Sequence, residues 1–237
     1  MMTKYLYWYD SYIKEFEARV VRVEGNRVVL DQTIFHPRTG GVDCDTGKLI
    51  FNDEEYFVKE VIKDGEEALH VLDREPKFRE GDVVKGMIDW DRRYRLMKLH
   101  TAAHILSAVL YNRYNILITG GEITPEYARD DYSLSSDNWR NILEEAVIET
   151  NKIIERGVPV KVYFLSREEA MKIPGIVKLM EKSPPNVREW RIVEIEGIDL
   201  QADGGPHVSN TREIGGIKVL KLENRGKNNK RIYYTLR

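Results

Sequence analysis

Two short stretches, far apart in the chain, carry the residue types that do chemistry. His100-Thr101-Ala102-Ala103-His104 sets two imidazoles four residues apart. On a helix that interval puts both rings on one face, about one turn apart, where they can share a metal ion. Zinc is the natural guest for nitrogen ligands of this kind. Asp203-Gly204-Gly205-Pro206-His207 repeats the interval with a carboxylate and an imidazole, and its two glycines imply a tight loop rather than a helix. Three of the chain's five histidines fall in these two segments. A lone His-x-x-x-His is more often packing than ligation. The second, glycine-bent pair moves the reading to a metal centre, either three histidines with Asp203 or three histidines with water. A zinc peptidase of the HExxH type needs glutamate directly after the first histidine as general base; Thr101 stands there, so that chemistry is set aside.

The elements that must position these residues fall into two textures. Residues 1–90 read as short strands joined by turns. Phe16–Val23 and Val28–Asp31 flank Gly25-Asn26, Leu49–Phe51 and Tyr56–Ile62 flank Asn52-Asp53, Ala68–Leu72 follows Lys63-Asp64-Gly65, and Val83–Ile88 closes the series. That spacing predicts a small antiparallel β-barrel. From Asp91 the period becomes helical: Leu96, Leu99, Ala103, Leu106 and Leu110 step by three or four and define a buried stripe. Strands are expected at Asn115–Ile118 and Tyr127–Leu134. A helix follows from about Asn138 to Glu155, capped by Ser135 or Ser136 and ended by Gly157. Val158–Leu165 reads as a strand, Ser166-Arg167-Glu168-Glu169 as a capping box, and Pro184-Pro185 as a break. Val187–Ile195, Ile217–Glu223 and Arg231–Leu236 complete the strands, the last two around a hairpin loop at Gly226–Asn229. The expected class is α+β: a barrel domain over 1–90, then a domain over 91–237 of helices packed on an antiparallel sheet.

Composition narrows the partners. The chain has 237 residues, 42% of them hydrophobic, which excludes disorder as the main state. Its longest apolar stretches are far short of the ~20 residues a membrane span requires. Lys4, Asp10, Lys14 and Glu15 interrupt any signal-peptide core, and a lone cysteine, Cys44, forms no internal disulfide. The expectation is a soluble, cytoplasmic chain with no membrane association and no evident obligate protein partner. The formal net charge is −2, so nucleic-acid attraction would have to be local. Arg92, Arg93, Arg95 and Lys98 form one basic cluster. The tail from Lys218 to Arg237 holds seven basic residues against Glu223. A solvated surface explains such clusters equally well.

The motifs together resemble a known family. Asp91–Leu106 (DRRYRLMKLHTAAHIL) resembles the helix that opens the editing domain of alanyl-tRNA synthetases and of their freestanding relatives, the AlaX trans-editing proteins. Asp203–Gly215 (DGGPHVSNTREIG) resembles their second zinc motif, and Phe35–Gly47 (FHPRTGGVDCDTG) their glycine-rich motif in an N-terminal barrel. Arg188–Ile195 and Tyr127–Asp131 also fit, in the family's order, and the size is that of the medium type. The resemblance implies Zn²⁺ held by His100, His104 and His207, with Asp203 where the family has cysteine. Oxygen ligation of zinc makes that substitution admissible, at the cost of a harder site. Cys44 is the only thiol that could stand in. Pro206 replaces the usual threonine.

The implied activity is hydrolysis, without ATP, of the ester joining serine, or glycine, to tRNA(Ala). The alternatives are a zinc-stabilised RNA-binding module without catalysis and a hydrolase of small aminoacyl esters. Thr39, Gly40 and Gly41, with Gly204 and Gly205, are the expected substrate contacts. Thr39 offers a hydroxyl that would distinguish serine from alanine. Gly204-Gly205 amides would face developing negative charge. Arg92, Arg93, Arg95, Lys227 and Arg231 are the expected phosphate contacts; Tyr233 and Tyr234 could stack the terminal adenine, although alternate strand residues such as these are more often simply core.

Overall fold

The computed structural model describes residues 3–173 and 188–237; Pro184-Pro185 and the start of the strand expected from Val187 lie outside the described residues. Element order is β1 (Lys4–Tyr5), β2 (Glu15–Glu24), β3 (Arg27–Leu30), β4 (Gln32–Thr33), β5 (Gly47–Phe51), β6 (Glu54–Asp64), β7 (Glu67–Leu72), β8 (Val83–Ile88), α1 (Trp90–Tyr114), β9 (Ile118–Ile123), β10 (Ala128–Tyr132), α2 (Trp139–Arg156), β11 (Val160–Ser166), α3 (Arg167–Ala170), β12 (Glu189–Ile195), β13 (Asp199–Ala202), β14 (Ile217–Asn224) and β15 (Lys230–Leu236). The chain groups into two compact units, Met1–Leu96 and Met97–Arg237.

The first unit is a closed antiparallel barrel in the order β2-β3-β7-β6-β5-β8. Alternation in β2 sends Phe16, Ala18 and Val20 inward, as period two requires of a strand with one buried face. They join Leu30, Phe35, Leu49, Tyr56 and Leu72 in one core. His70 is buried in the barrel, with Nδ1 at 3.2 Å from the Val28 carbonyl and Nε2 at 2.9 Å from Thr33 Oγ1. Burial drives its pKa down to about 4. The glycine-rich stretch closes a two-residue turn. Thr39 and Val42 exchange backbone hydrogen bonds across Gly40 and Gly41, at φ +61° and +83°. Both positions need the left-handed region that glycine enters freely.

The expected helical stripe of Leu96, Leu99, Ala103, Leu106 and Leu110 is buried, but so are Met97, Ala102, Ile105, Ala108 and Val109. The helix is therefore more enclosed than a single stripe implies. It stops where Asn115 turns to φ +55°.

The second unit holds two antiparallel sheets where one was expected: β14-β15-β10-β9 and β11-β12-β13. The strand expected at Asn115–Ile118 instead begins at Ile118 and runs through Gly120-Gly121 to pair with β10. Helix α2 ends at Gly157 as expected, but its N-cap is Asn138. Ser136 Oγ accepts from the Asn138 amide at 3.1 Å, one step outside the helix. Asn151 joins α2 to β14, accepting from Ile217 N–H at 2.8 Å and donating to its carbonyl at 2.9 Å. The capping box at Ser166 and Glu169 forms as the sequence predicts.

Candidate metal centre

The centre is assembled from α1 and from the loop after β13. On α1, His100 and His104 stand one turn apart with ring centroids at 5.0 Å. Strand β13 leads into the loop, whose start is fixed because Asp203 N–H donates to the Arg191 carbonyl at 3.1 Å and Arg191 NH1 returns a bond to the Asp203 carbonyl at 2.8 Å. The loop brings the His207 ring to 4.1 Å from His100 and 4.8 Å from His104. Ligating atoms of His100, His104, Asp203 and His207 all lie within 4.8 Å of one another.

Each histidine's protonation pattern follows from its partners. His100 Nδ1 lies 3.3 Å from the Pro206 carbonyl and His104 Nδ1 3.0 Å from Asp199 Oδ2. Both partners only accept, so both Nδ1 atoms carry the proton. Thr101 Oγ1 gives its own proton to the Met97 carbonyl at 2.9 Å, and therefore accepts from His207 Nδ1 at 3.0 Å and from Val208 N–H at 3.3 Å. All three Nε2 atoms are thus left with lone pairs, and those of His100 and His207 lie beside the carboxylate of Asp203. His207 Nε2 is 3.1 Å from Asp203 Oδ2 and His100 Nε2 is 3.7 Å from Oδ1. Three lone pairs and an anionic oxygen at these separations repel unless a cation lies among them, so the donor set fits a divalent metal.

The electrostatics agree. Burial pushes His207 down to about 4, outweighing the hydrogen bond that a protonated ring would give Asp203, and leaves the imidazole neutral as ligation requires. Burial opposes ionisation of Asp203, yet His100, His207 and His104, protonated at the acid pH where a carboxyl titrates, outweigh it and hold the carboxyl well below its usual range. Gly205 is required by space: a Cβ there would lie 2.5 Å from His100 Cε1 and 2.8 Å from Nδ1. Its amide donates to Asp203 Oδ2 at 2.7 Å, so it is taken up by the cluster's own carboxylate rather than facing developing charge on a substrate, which corrects that expectation for Gly205.

The basic residues divide. Arg93 is fully buried, so its expected role as a phosphate contact is wrong. Its guanidinium pairs with Asp45 (Nε to Oδ1 2.9 Å) and donates to the Ser11 and Ile34 carbonyls at 3.0 and 2.5 Å. Arg92 bonds the Cys44 carbonyl at 2.9 Å and pairs with Asp43 at 2.5 Å. Arg231 makes a two-pronged pair with Asp131, at 2.6 and 2.9 Å. Arg95 and Lys227 are exposed. Tyr234 is buried and donates to Asp130 at 2.7 Å, which removes it as a stacking surface; Tyr233 is half-buried. The sequence reading missed Thr101 and Asp199. Thr101 registered only as a non-glutamate, and no local pattern around Asp199 announces a partner in α1.

Comparison with known proteins places this geometry. Residues 190–233 match the family described as "Threonyl and Alanyl tRNA synthetase second additional domain", and residues 9–92 match "tRNA synthetases class II (A)". Each of the two units thus contains a segment that matches a tRNA-synthetase family. Full-length similarity is more specific. The chain is 53% identical to the alanyl-tRNA editing protein AlaX-M of Saccharolobus solfataricus, over all of both chains. It is 42% identical to AlaX-M of Methanosarcina barkeri over 99% of each. An alanine–tRNA ligase of Ignicoccus hospitalis is 39% identical across 92% of this chain but only 24% of the ligase. The chain belongs to the AlaX-M family of alanyl-tRNA editing proteins.

Proposed function

We propose that this chain is a cytoplasmic trans-editing aminoacyl-tRNA deacylase that hydrolyses the ester of serine, and of glycine, misattached to tRNA(Ala), with Zn²⁺ held by His100, His104, Asp203 and His207. The observation that carries the reading is the convergence of three Nε2 lone pairs and one carboxylate in a chain matched end to end by AlaX-M relatives. The physical need is selective: an activating pocket sized for alanine rejects smaller or near-isosteric amino acids poorly, so a second site must remove them. No helix among the described residues is long and apolar enough to cross a membrane.

When bound, zinc supplies Lewis-acid polarisation of an ester carbonyl and lowers the pKa of a coordinated water. The chain's own residues do the positioning. Nδ1 bonds to Pro206, Asp199 and Thr101 aim the three rings, and the Gly205 amide orients Asp203. Thr39, Gly40, Gly41 and Gly204 are proposed as substrate contacts, Thr39 as the hydroxyl that reads serine. Arg92, Arg95, Lys227 and Arg231 are proposed as phosphate contacts; for Arg92 and Arg231 this requires exchange of an existing ion pair.

The test is deacylation of Ser-, Gly- and Ala-charged tRNA(Ala) by wild type, His104→Ala and Asp203→Ala, alongside zinc content. Release of serine with alanine spared, and loss of both activity and zinc in the variants, is the expected result. Variants that deacylate at the wild-type rate without zinc would overturn the mechanism. A zinc-loaded protein that never releases serine would mark an RNA-binding module instead.

A further inference from the structure

Of the three groups that hold the Nδ1 atoms, one is a peptide carbonyl, one a hydroxyl and one a carboxylate. The charged one is Asp199. Its side chain is 0% exposed, and Oδ2 takes the His104 Nδ1 proton at 3.0 Å and a Gln201 Nε2 proton at 2.9 Å. A buried carboxylate left without donors would be costly, so these bonds both satisfy it and fix where it points. Register fixes the rest: Asp199 pairs with Ile195 and Gln201 with Val193 on β12, the central strand of its sheet. Strand β13 thus places a carboxylate behind His104 and, four residues on, delivers Asp203 in front of it.

We propose that Asp199 is a positioning residue for the metal centre. By accepting from Nδ1 it holds the His104 ring in one tautomer and one orientation, and its negative charge raises the basicity of Nε2. It thereby sets the affinity of the four-residue centre for a divalent cation, with Gln201 fixing Asp199 in turn. Carboxylates behind metal-bound imidazoles act in this way generally, and their removal lowers metal affinity about 10–100-fold. The inference rests on the metal reading of the centre.

The experiment is zinc titration against a competing chelator, together with ring-nitrogen NMR of the zinc-free protein, on wild type, Asp199→Ala, Asp199→Asn and His104→Ala. Asp199→Ala, folded by circular dichroism, is expected to bind zinc about 10–100-fold more weakly and to show mixed His104 tautomers. Asp199→Asn keeps an acceptor without charge, so its affinity should fall between, with the His104 Nδ1 proton moved upfield. A wild type that binds zinc no better than His104→Ala would refute the centre itself. A centre that does bind zinc, with a folded Asp199→Ala at wild-type affinity, would overturn the role of Asp199 alone. Should the alanine variant not fold, unchanged affinity and an unchanged Nδ1 resonance in Asp199→Asn overturn it equally.

Discussion

At the residue scale the centre depends on two small residues, Thr101 and Gly205, as much as on its histidines and Asp203. Thr101 sits where a peptidase would carry its general base, and it acts here as an acceptor for His207 Nδ1 and Val208 N–H. Thr101→Val keeps the shape and leaves both donors buried without a partner, which costs about 1–3 kcal/mol for an unsatisfied group. Urea unfolding of the metal-free protein should register that loss, zinc affinity should drop, and Thr101→Ser should recover most of both. Gly205→Ala tests space instead. Its methyl would occupy the volume of the His100 ring, so zinc content should fall sharply while circular dichroism stays unchanged. A Gly205→Ala protein that retains full zinc would show that the ring has room to move.

At the element scale the first turn of α1 is tied into the barrel by Arg93. Removing one member of a buried ion pair strands the other charge, at a cost of about 3–5 kcal/mol. Arg93→Met should therefore lower thermal stability strongly, and by more than Arg95→Ala on the exposed side of the same turn. In sequence the two arginines look alike, because nothing local marks Asp45 as a partner for one of them. The same limit explains which elements were legible. Six barrel strands and the Ser166 capping box follow from alternation and turn residues, signals contained within a few positions. β9 was placed too early, at Asn115–Ile118, because its run through Gly120-Gly121 carries no strand signal of its own and takes its form from pairing with β10. β13 is only four residues long and takes its form from β12. The histidine and Asp203 spacing pointed to the four residues that the fold brings together, while the groups that orient the rings, Thr101 and Asp199, reach their partners across the fold and carry no local signature.

At the scale of the whole molecule, ionisation and charge should be visible in bulk measurements. His70 is held neutral by burial, with its pKa lowered to about 4. Unfolded chains take up that proton near pH 6.5, so stability from this group is complete above that value. It declines as pH falls towards 4 and then levels off, a total of about 3 kcal/mol at 1.36 kcal/mol per unit. NMR titration should find the ring neutral at pH 5; a midpoint near 6.5 would refute its burial. For RNA binding, Arg95→Gln and Lys227→Gln should each reduce the slope of log affinity against log salt by about 1, if each meets a phosphate. The donor set of the centre has a final chemical consequence. Cys44, the chain's one thiol, is packed into the barrel core, where burial raises its pKa. Imidazole and carboxylate have no sulfur for hydrogen peroxide to convert to a sulfenate, nor for glutathione disulfide to capture. Peroxide that would eject an ion from a thiolate-bearing site should leave this one intact, so proofreading of charged RNA would persist through oxidative stress.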